Sequence, residues 1–206
     1  MVAIIDYGVG NLFSLNSSLK YIGAEAVVTG DKDAIKKADR LILPGVGAFE
    51  DAAKKLKQSG LSELIKELAQ DGKPIMGICL GMQLLFDRSY EYGCHEGLGL
   101  IPGEIMPLEG KIPANLKIPH IGWNSVKKVK DCPVFKSVND GDFFYFVHSY
   151  YACECEENIA LLTDYGFPVT AAVAKENIIG CQFHPEKSGE AGLKLLRDFV
   201  FEENLK

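Results

Sequence analysis

The chain has one tryptophan, nine prolines and six cysteines in 206 residues, with no C-x-x-C pair among the cysteines. A chain of this length buries enough apolar surface to fold without disulfide staples, so the thiols are expected free and the compartment a reducing cytoplasm. Two thiols alone, as in Cys153-x-Cys155, are too few to define a metal site. No run approaches the roughly 18 uninterrupted apolar residues of a membrane span. The nearest, from Pro74 to Phe86, is broken by Gly77, Gly81 and Gln83. The opening Val2-Ala3-Ile4-Ile5-Asp6 lacks the basic n-region and small-residue cleavage site of a secretory signal. There is also no Lys/Arg cluster: 22 basic residues stand against 28 acidic, a formal net charge of −6. That balance argues against nucleic acid or an anionic membrane as the main partner.

What the chain does have is the composition of a folded protein, 47% hydrophobic and 24% charged, without low-complexity stretches. Residues 1–206 read as a single domain. In the first half strand and helix signals alternate. Val2–Asp6, Ala26–Thr29, Arg40–Leu43 and Pro74–Ile78 read as strands. Leu12, Leu15, Leu19 and Ile22 mark one helix, and Leu61, Leu64, Ile65 and Leu68 another. Asn11 sits where an N-cap would stand, and Leu80–Tyr90 reads as a further helix. That rhythm predicts an α/β layered domain around a parallel sheet. In the second half, Phe143–Val147, Ala160–Asp164, Val169–Ala174 and Ile178–Phe183 are separated by turn residues. Antiparallel strands that extend the sheet, or form a smaller one beside it, are expected there. A last helix is predicted over Ser188–Glu203, with Leu193, Leu196, Phe199 and Val200 inward.

The strongest chemical signal is Gly77-Ile78-Cys79-Leu80-Gly81, where a buried strand turns into a helix. Glycines flank a nucleophile there because a tight elbow leaves no room for side chains. The elbow aims the Cys79 sulfur at the helix N-terminus, whose free N–H groups favour a thiolate. The Leu80 N–H would face an oxyanion on an attacked carbonyl. The alternative is a buried structural cysteine. A thiolate working on acyl groups needs a base, and the chain has four histidines: 95, 120, 148 and 184. In His184-Pro185-Glu186 the two polar groups lie two positions apart, on one side of an extended chain, where the carboxylate can orient the imidazole. A solvated strand end is the plain alternative. A zinc site from Cys181, His184 and Glu186 fits poorly, since strand alternation points Cys181 and His184 to opposite sides. Pro44-Gly45-Val46-Gly47 can present backbone N–H groups at the C-terminal edge of the sheet. It lacks the Lys-Ser/Thr of a Walker A loop, and Gly8-Val9-Gly10 lacks the third glycine of a dinucleotide fingerprint.

Taken together, these pieces resemble the class I (triad) glutamine amidotransferases. The resemblance rests on the Cys79 elbow, Gln83 one turn later, and His184-Pro185-Glu186. It spans the chain through Ile5-Asp6-Tyr7-Gly8-Val9-Gly10-Asn11-Leu12, Leu43-Pro44-Gly45-Val46-Gly47-Ala48-Phe49, Pro119-His120-Ile121-Gly122-Trp123-Asn124 and His148-Ser149-Tyr150. The Pro44-Gly45-Val46-Gly47 loop and the stretch from His120 through Gly122-Trp123-Asn124 resemble in particular glutaminase subunits that serve a (β/α)8-barrel synthase subunit closing an imidazole ring in histidine biosynthesis. The resemblance implies a three-layer, flavodoxin-like fold with a mostly parallel central sheet extended by antiparallel strands. It implies L-glutamine as substrate, no cofactor and no metal. Cys79, His184 and Glu186 would be the triad, and Gly45, Val46 and Leu80 the oxyanion hole. Gln83, His148, Ser149 and Tyr150 would hold the amino-acid end of glutamine. Asn11, Trp123, Tyr145 and Lys187 would lie at the barrel interface, although N-capping also accounts for Asn11 and a core position for Trp123. Three rivals stay open: a paralogue feeding ammonia to a sugar amination, a non-catalytic regulator on the same fold, and a peptidase.

Overall fold

A computed structural model describes residues 1–203. Among them the chain begins β1 (Val2–Ile5), α1 (Leu12–Tyr21), β2 (Ala26–Thr29), α2 (Lys32–Lys37), β3 (Arg40–Gly45), α3 (Phe49–Gln58), α4 (Leu61–Gln70) and β4 (Ile75–Cys79). It continues α5 (Leu80–Leu84), β5 (Phe86–Ser89), β6 (His95–Glu96), β7 (Ile101–Pro107), β8 (His120–Lys128), β9 (Phe143–His148) and β10 (Tyr150–Cys153). Then come β11 (Ile159–Asp164), β12 (Pro168–Lys175), β13 (Ile178–Cys181) and α6 (Gly189–Phe201).

One large sheet has the order β2-β1-β3-β4-β13-β12-β11-β8-β9, and a small one the order β10-β7-β5-β6. From β2 to β13 neighbours are parallel. From β13 to β9 they are antiparallel. Parallel neighbours need long crossovers, which helices supply. Beyond α5 those helices run out until α6, so the strands connect by turns and reverse direction. The parallel centre is therefore one half of a mixed sheet; all four strands expected in the second half extend it, and the small sheet is built from other segments, β5, β6, β7 and β10.

Strand alternation divides the core. In β1, Val2 and Ile4 face a layer holding Leu15 and Leu19 of α1 and Leu195, Leu196 and Phe199 of α6. Ala3 and Ile5 face the opposite layer, with Ile35 of α2, Phe49 and Leu56 of α3, and Leu64, Ile65 and Leu68 of α4. In α6 the fully buried residues are Leu195, Leu196 and Phe199, while Leu193 and Val200 pack at the margin.

The structure corrects three local expectations. The helix predicted over Leu80–Tyr90 stops at Leu84, and β5 follows. Its next carbonyls are taken by distant donors: Leu98 N–H reaches the Leu84 carbonyl at 2.8 Å and Leu100 N–H that of Leu85 at 2.8 Å. Asn11 stands at the N-cap of α1 but makes no side-chain cap bond. β13 ends at Cys181, so His184 and Glu186 meet in a 3-10 turn (Pro185–Lys187) rather than along a strand. No helix among the described residues is long and apolar enough to cross a membrane.

Candidate active site

Cys79 ends β4 with φ 54° and ψ −114°, a backbone state costly for any residue with a side chain. The elbow closes tightly enough that a Cβ on Gly81 would stand 1.8 Å from the Leu43 carbonyl oxygen. Only glycine fits there. On one side Cys79 pairs in register with Gly45 of β3. There the Tyr7 hydroxyl donates to the Pro44 carbonyl at 2.8 Å. Burial, with the neighbouring Cys79, pushes the Tyr7 phenol above its ordinary range. Past Gly45 the backbone turns out of the sheet: Val46 is 42% exposed and Gly47 takes φ 94°.

His184 comes from the far side of β4. Its N–H donates to the Tyr145 carbonyl at 2.9 Å, and the Ser188 hydroxyl clamps the turn by donating to the His184 carbonyl at 2.6 Å. Imidazole Nδ1 lies 2.8 Å from Glu186 Oε1, and both side chains are 3% exposed. Nε2 is buried without a hydrogen-bond partner, leaving it for the Cys79 side. Burial pushes the imidazole down, but hydrogen bonds to Cys79 and Glu186, and the negative charges of the Cys79 thiolate and the Glu186 carboxylate, push harder, to about 9. Once it holds the Cys79 proton, the imidazolium stands between two anions that favour its charge. The Cys79 sulfur also touches the Val147 carbonyl at 3.9 Å.

A cavity of about 380 Å³ opens over these groups, lined by Val46, Gly47, Cys79, Leu80, Gln83, Glu91, His148, Ser149, Tyr150, His184 and Lys187, among others. All three triad candidates come together, as do the Gly45–Val46 and Leu80 amides and the four residues assigned to substrate. Glu91 is an addition. It accepts the Phe49 N–H at the start of α3, a contact between turn and helix that no local pattern encodes. Lys187 leans over the Tyr145 ring, with Nζ 5.6 Å from the centroid, and Trp123 meets Tyr145 edge-on at 5.9 Å. At 55% exposure Trp123 is not a core residue. Asn11 lies apart from the cavity, at the start of α1, which packs against the Pro185–Lys187 turn. Among the described residues no group of His, Cys, Asp and Glu has the geometry of a metal site, and all six cysteines are free.

A thiol on a strand–helix elbow, facing an imidazole that a buried carboxylate orients, is the arrangement of a triad hydrolase of acyl compounds. The model of the family "Glutamine amidotransferase class-I" matches residues 3–203. Imidazole glycerol phosphate synthase subunit HisH of Bacillus cereus (strain G9842) is 51% identical over 199 residues, 97% of this chain and 93% of that protein. Its counterpart from Sulfurimonas denitrificans is 49% identical over the whole of both chains. The chain belongs to the class I glutamine amidotransferase family, in the branch of imidazole glycerol phosphate synthase subunit HisH. Solved structures share the fold at low identity. One is PurLQS from Thermotoga maritima, at TM-score 0.74 and 21% identity over 97% of this chain and 96% of that one.

Proposed function

We propose that the chain hydrolyses L-glutamine as the glutaminase subunit of imidazole glycerol phosphate synthase, in histidine biosynthesis. The observation that carries the reading is the contiguity of Cys79, His184 and Glu186 under one cavity. The Cys79 thiol gives its proton to His184, and the sulfur attacks the side-chain carbonyl carbon of glutamine. The negative oxygen of the tetrahedral adduct meets the Leu80 N–H and the Gly45–Val46 peptide. Each such donor contributes about 10²–10³ in rate. His184 then returns the proton to the departing nitrogen, and ammonia leaves behind a Cys79 thioester. Water, deprotonated by His184, cleaves that ester to glutamate. Glu186 keeps Nδ1 engaged, so Nε2 does the transfers. At the other end of the substrate, Gln83, Ser149 and Tyr150 hold the carboxylate and amino groups, and His148, with both ring nitrogens engaged by the Tyr150 carbonyl and His120, lines the wall beside them. Glu91 supplies a carboxylate for the α-ammonium.

The partner in this reading is a (β/α)8-barrel cyclase subunit that consumes the ammonia, docked as a heterodimer. An apolar face supports it. Ile121 and Trp123 on β8 and Phe143 on β9 are each more than half exposed beside the cavity, a density a solvated edge does not need. Tyr145 and Lys187 continue that face, and Asn11 lies at its margin. The free cysteines support a cytoplasmic setting, and the reach of the family model supports residues 1–206 as one domain. The test is Cys79→Ala in the reconstituted complex. Glutamine-dependent ring closure falls about 10⁴-fold or more, while ring closure with added ammonium persists. Retained glutamine turnover overturns the reading.

A further inference from the structure

Gln182 is fully buried beside Cys79, and no step above uses it. β13 runs parallel to β4 with Cys181 opposite Ile78, so the next residues, Gln182 and Cys79, leave the sheet side by side. Gln182 Nε2 lies 3.8 Å from Cys79 Sγ. An amide has a donor end and an acceptor end, and the end that faces the sulfur decides its effect. An N–H steadies a negative sulfur, whereas a carbonyl oxygen repels it.

One backbone atom settles the orientation. The Tyr150 carbonyl oxygen can only accept. Gln83 comes within 3.3 Å of it and therefore presents its NH₂ end. The same NH₂ group donates to Gln182 Oε1 at 2.9 Å, which leaves Gln182 Nε2 for the sulfur. Reversing Gln182 would set nitrogen against nitrogen and oxygen against sulfur. His148 obeys the same carbonyl: its Nδ1, 2.8 Å away, carries the hydrogen. His148 Nε2 then accepts from His120 Nδ1 at 2.9 Å, and His120 Nε2 from the Asn124 amide at 3.3 Å. Every hydrogen in the chain from Asn124 to Cys79 has a single self-consistent place.

We infer that Gln182 is a further catalytic residue, whose side-chain N–H holds the Cys79 thiolate, and that Gln83 is the positioning residue that keeps it aimed. In the thiol form the S–H points to the Val147 carbonyl. As the proton passes to His184, the sulfur gives up that donated bond and keeps the one accepted from Gln182. Gln83 Oε1 stays available to the substrate. The inference rests on Cys79 as the nucleophile, which the Cys79→Ala experiment tests separately through glutamine turnover.

The experiment follows alkylation of Cys79 by iodoacetamide in the full chain, read on the Cys79 peptide by mass spectrometry across pH. In Gln182→Met the midpoint of the rate–pH curve moves up by about one unit, a tenfold loss of reactive sulfur at fixed pH, as expected for a lost bond to a charged group. The alkaline plateau is unchanged, which a merely structural lesion would not leave intact. Gln182→Glu, of equal size but with acceptor oxygens, moves the midpoint further. A wild-type curve in either folded variant overturns the inference. Should both variants fail to fold, side-chain amide NMR of the unaltered protein decides. The Gln182 N–H resonance moves with Cys79 ionisation, and a resonance indifferent to it overturns the assignment.

Discussion

His184 and His120 are each 2% exposed, yet one is pushed up to about 9 and the other down to about 4. The neighbours differ. His184 has a carboxylate on one nitrogen and the Cys79 thiol near the other. His120 is sandwiched by the Phe146 and Tyr165 rings, with centroids 4.8 and 4.0 Å away. It donates to His148, itself pushed down to about 3 by burial and by the two other imidazoles, against the Tyr150 carbonyl that favours its charged form. Among the described residues no anion offsets the lost hydration of this pair. Depth penalises both histidines; the chemistry of the partner decides which one keeps its charge. In the proposed reaction His184 moves the protons, and the neutral pair fixes the wall that holds the substrate.

The sharpest way to break the contrast is to take the anion from His184. Glu186→Gln lowers glutamine turnover by roughly 10²–10⁴-fold, the range spanned by general acid–base catalysis. It also slides the alkaline limb of the rate profile from near 9 toward neutrality, which a pH–rate series reads. A smaller effect follows from the neutral side. His120→Phe removes the donor to His148 and raises the glutamine KM about tenfold, with kcat little changed. His120→Asn, whose amide can stand in for Nδ1–H, restores part of it. Steady-state kinetics of both variants check this split.

Stability against pH should show both signs in one curve. The raised His184 contributes stability that is full below about 6.5 and is lost as pH rises through about 9. The lowered His120 and His148 contribute stability that is present above about 6.5 and is lost as pH falls toward 4 and 3. Melting temperature therefore declines on both sides. On the acid side the decline between pH 6.5 and 4 is at least about 2–4 °C, and His120→Phe flattens it. A flat acid limb in the unaltered protein refutes the neutral pair.

The triad and the parallel half of the sheet were legible because their causes are local. An elbow needs glycines around its nucleophile, and apolar runs bounded by turns announce buried strands. The Leu80–Tyr90 stretch was misleading because its helix is ended by Leu98 and Leu100, contacts that fold from a distance. Glu91 and Gln182 carry no motif of their own: only the closing of α3 brings Glu91 to the cavity, and only the β4–β13 register sets Gln182 beside Cys79. His184 and Glu186 were paired for a reason the structure replaces, with a turn doing what an extended strand was expected to do.

The left-handed backbone of Cys79 has a consequence for heat resistance. A side chain held at φ 54° costs the fold about 1–3 kcal/mol, and glycine alone escapes most of that. Cys79→Gly and Cys79→Ala both delete the sulfur, so the difference in their melting points sets relief of backbone strain against the lost Cβ and the freer unfolded chain of glycine. The glycine variant melts higher than the alanine variant by about 2–4 °C, the shift that roughly 1 kcal/mol produces in a chain of this size. Melting temperature alone thus favours glycine at position 79, and the strain persists there only with the sulfur that the proposed reaction needs.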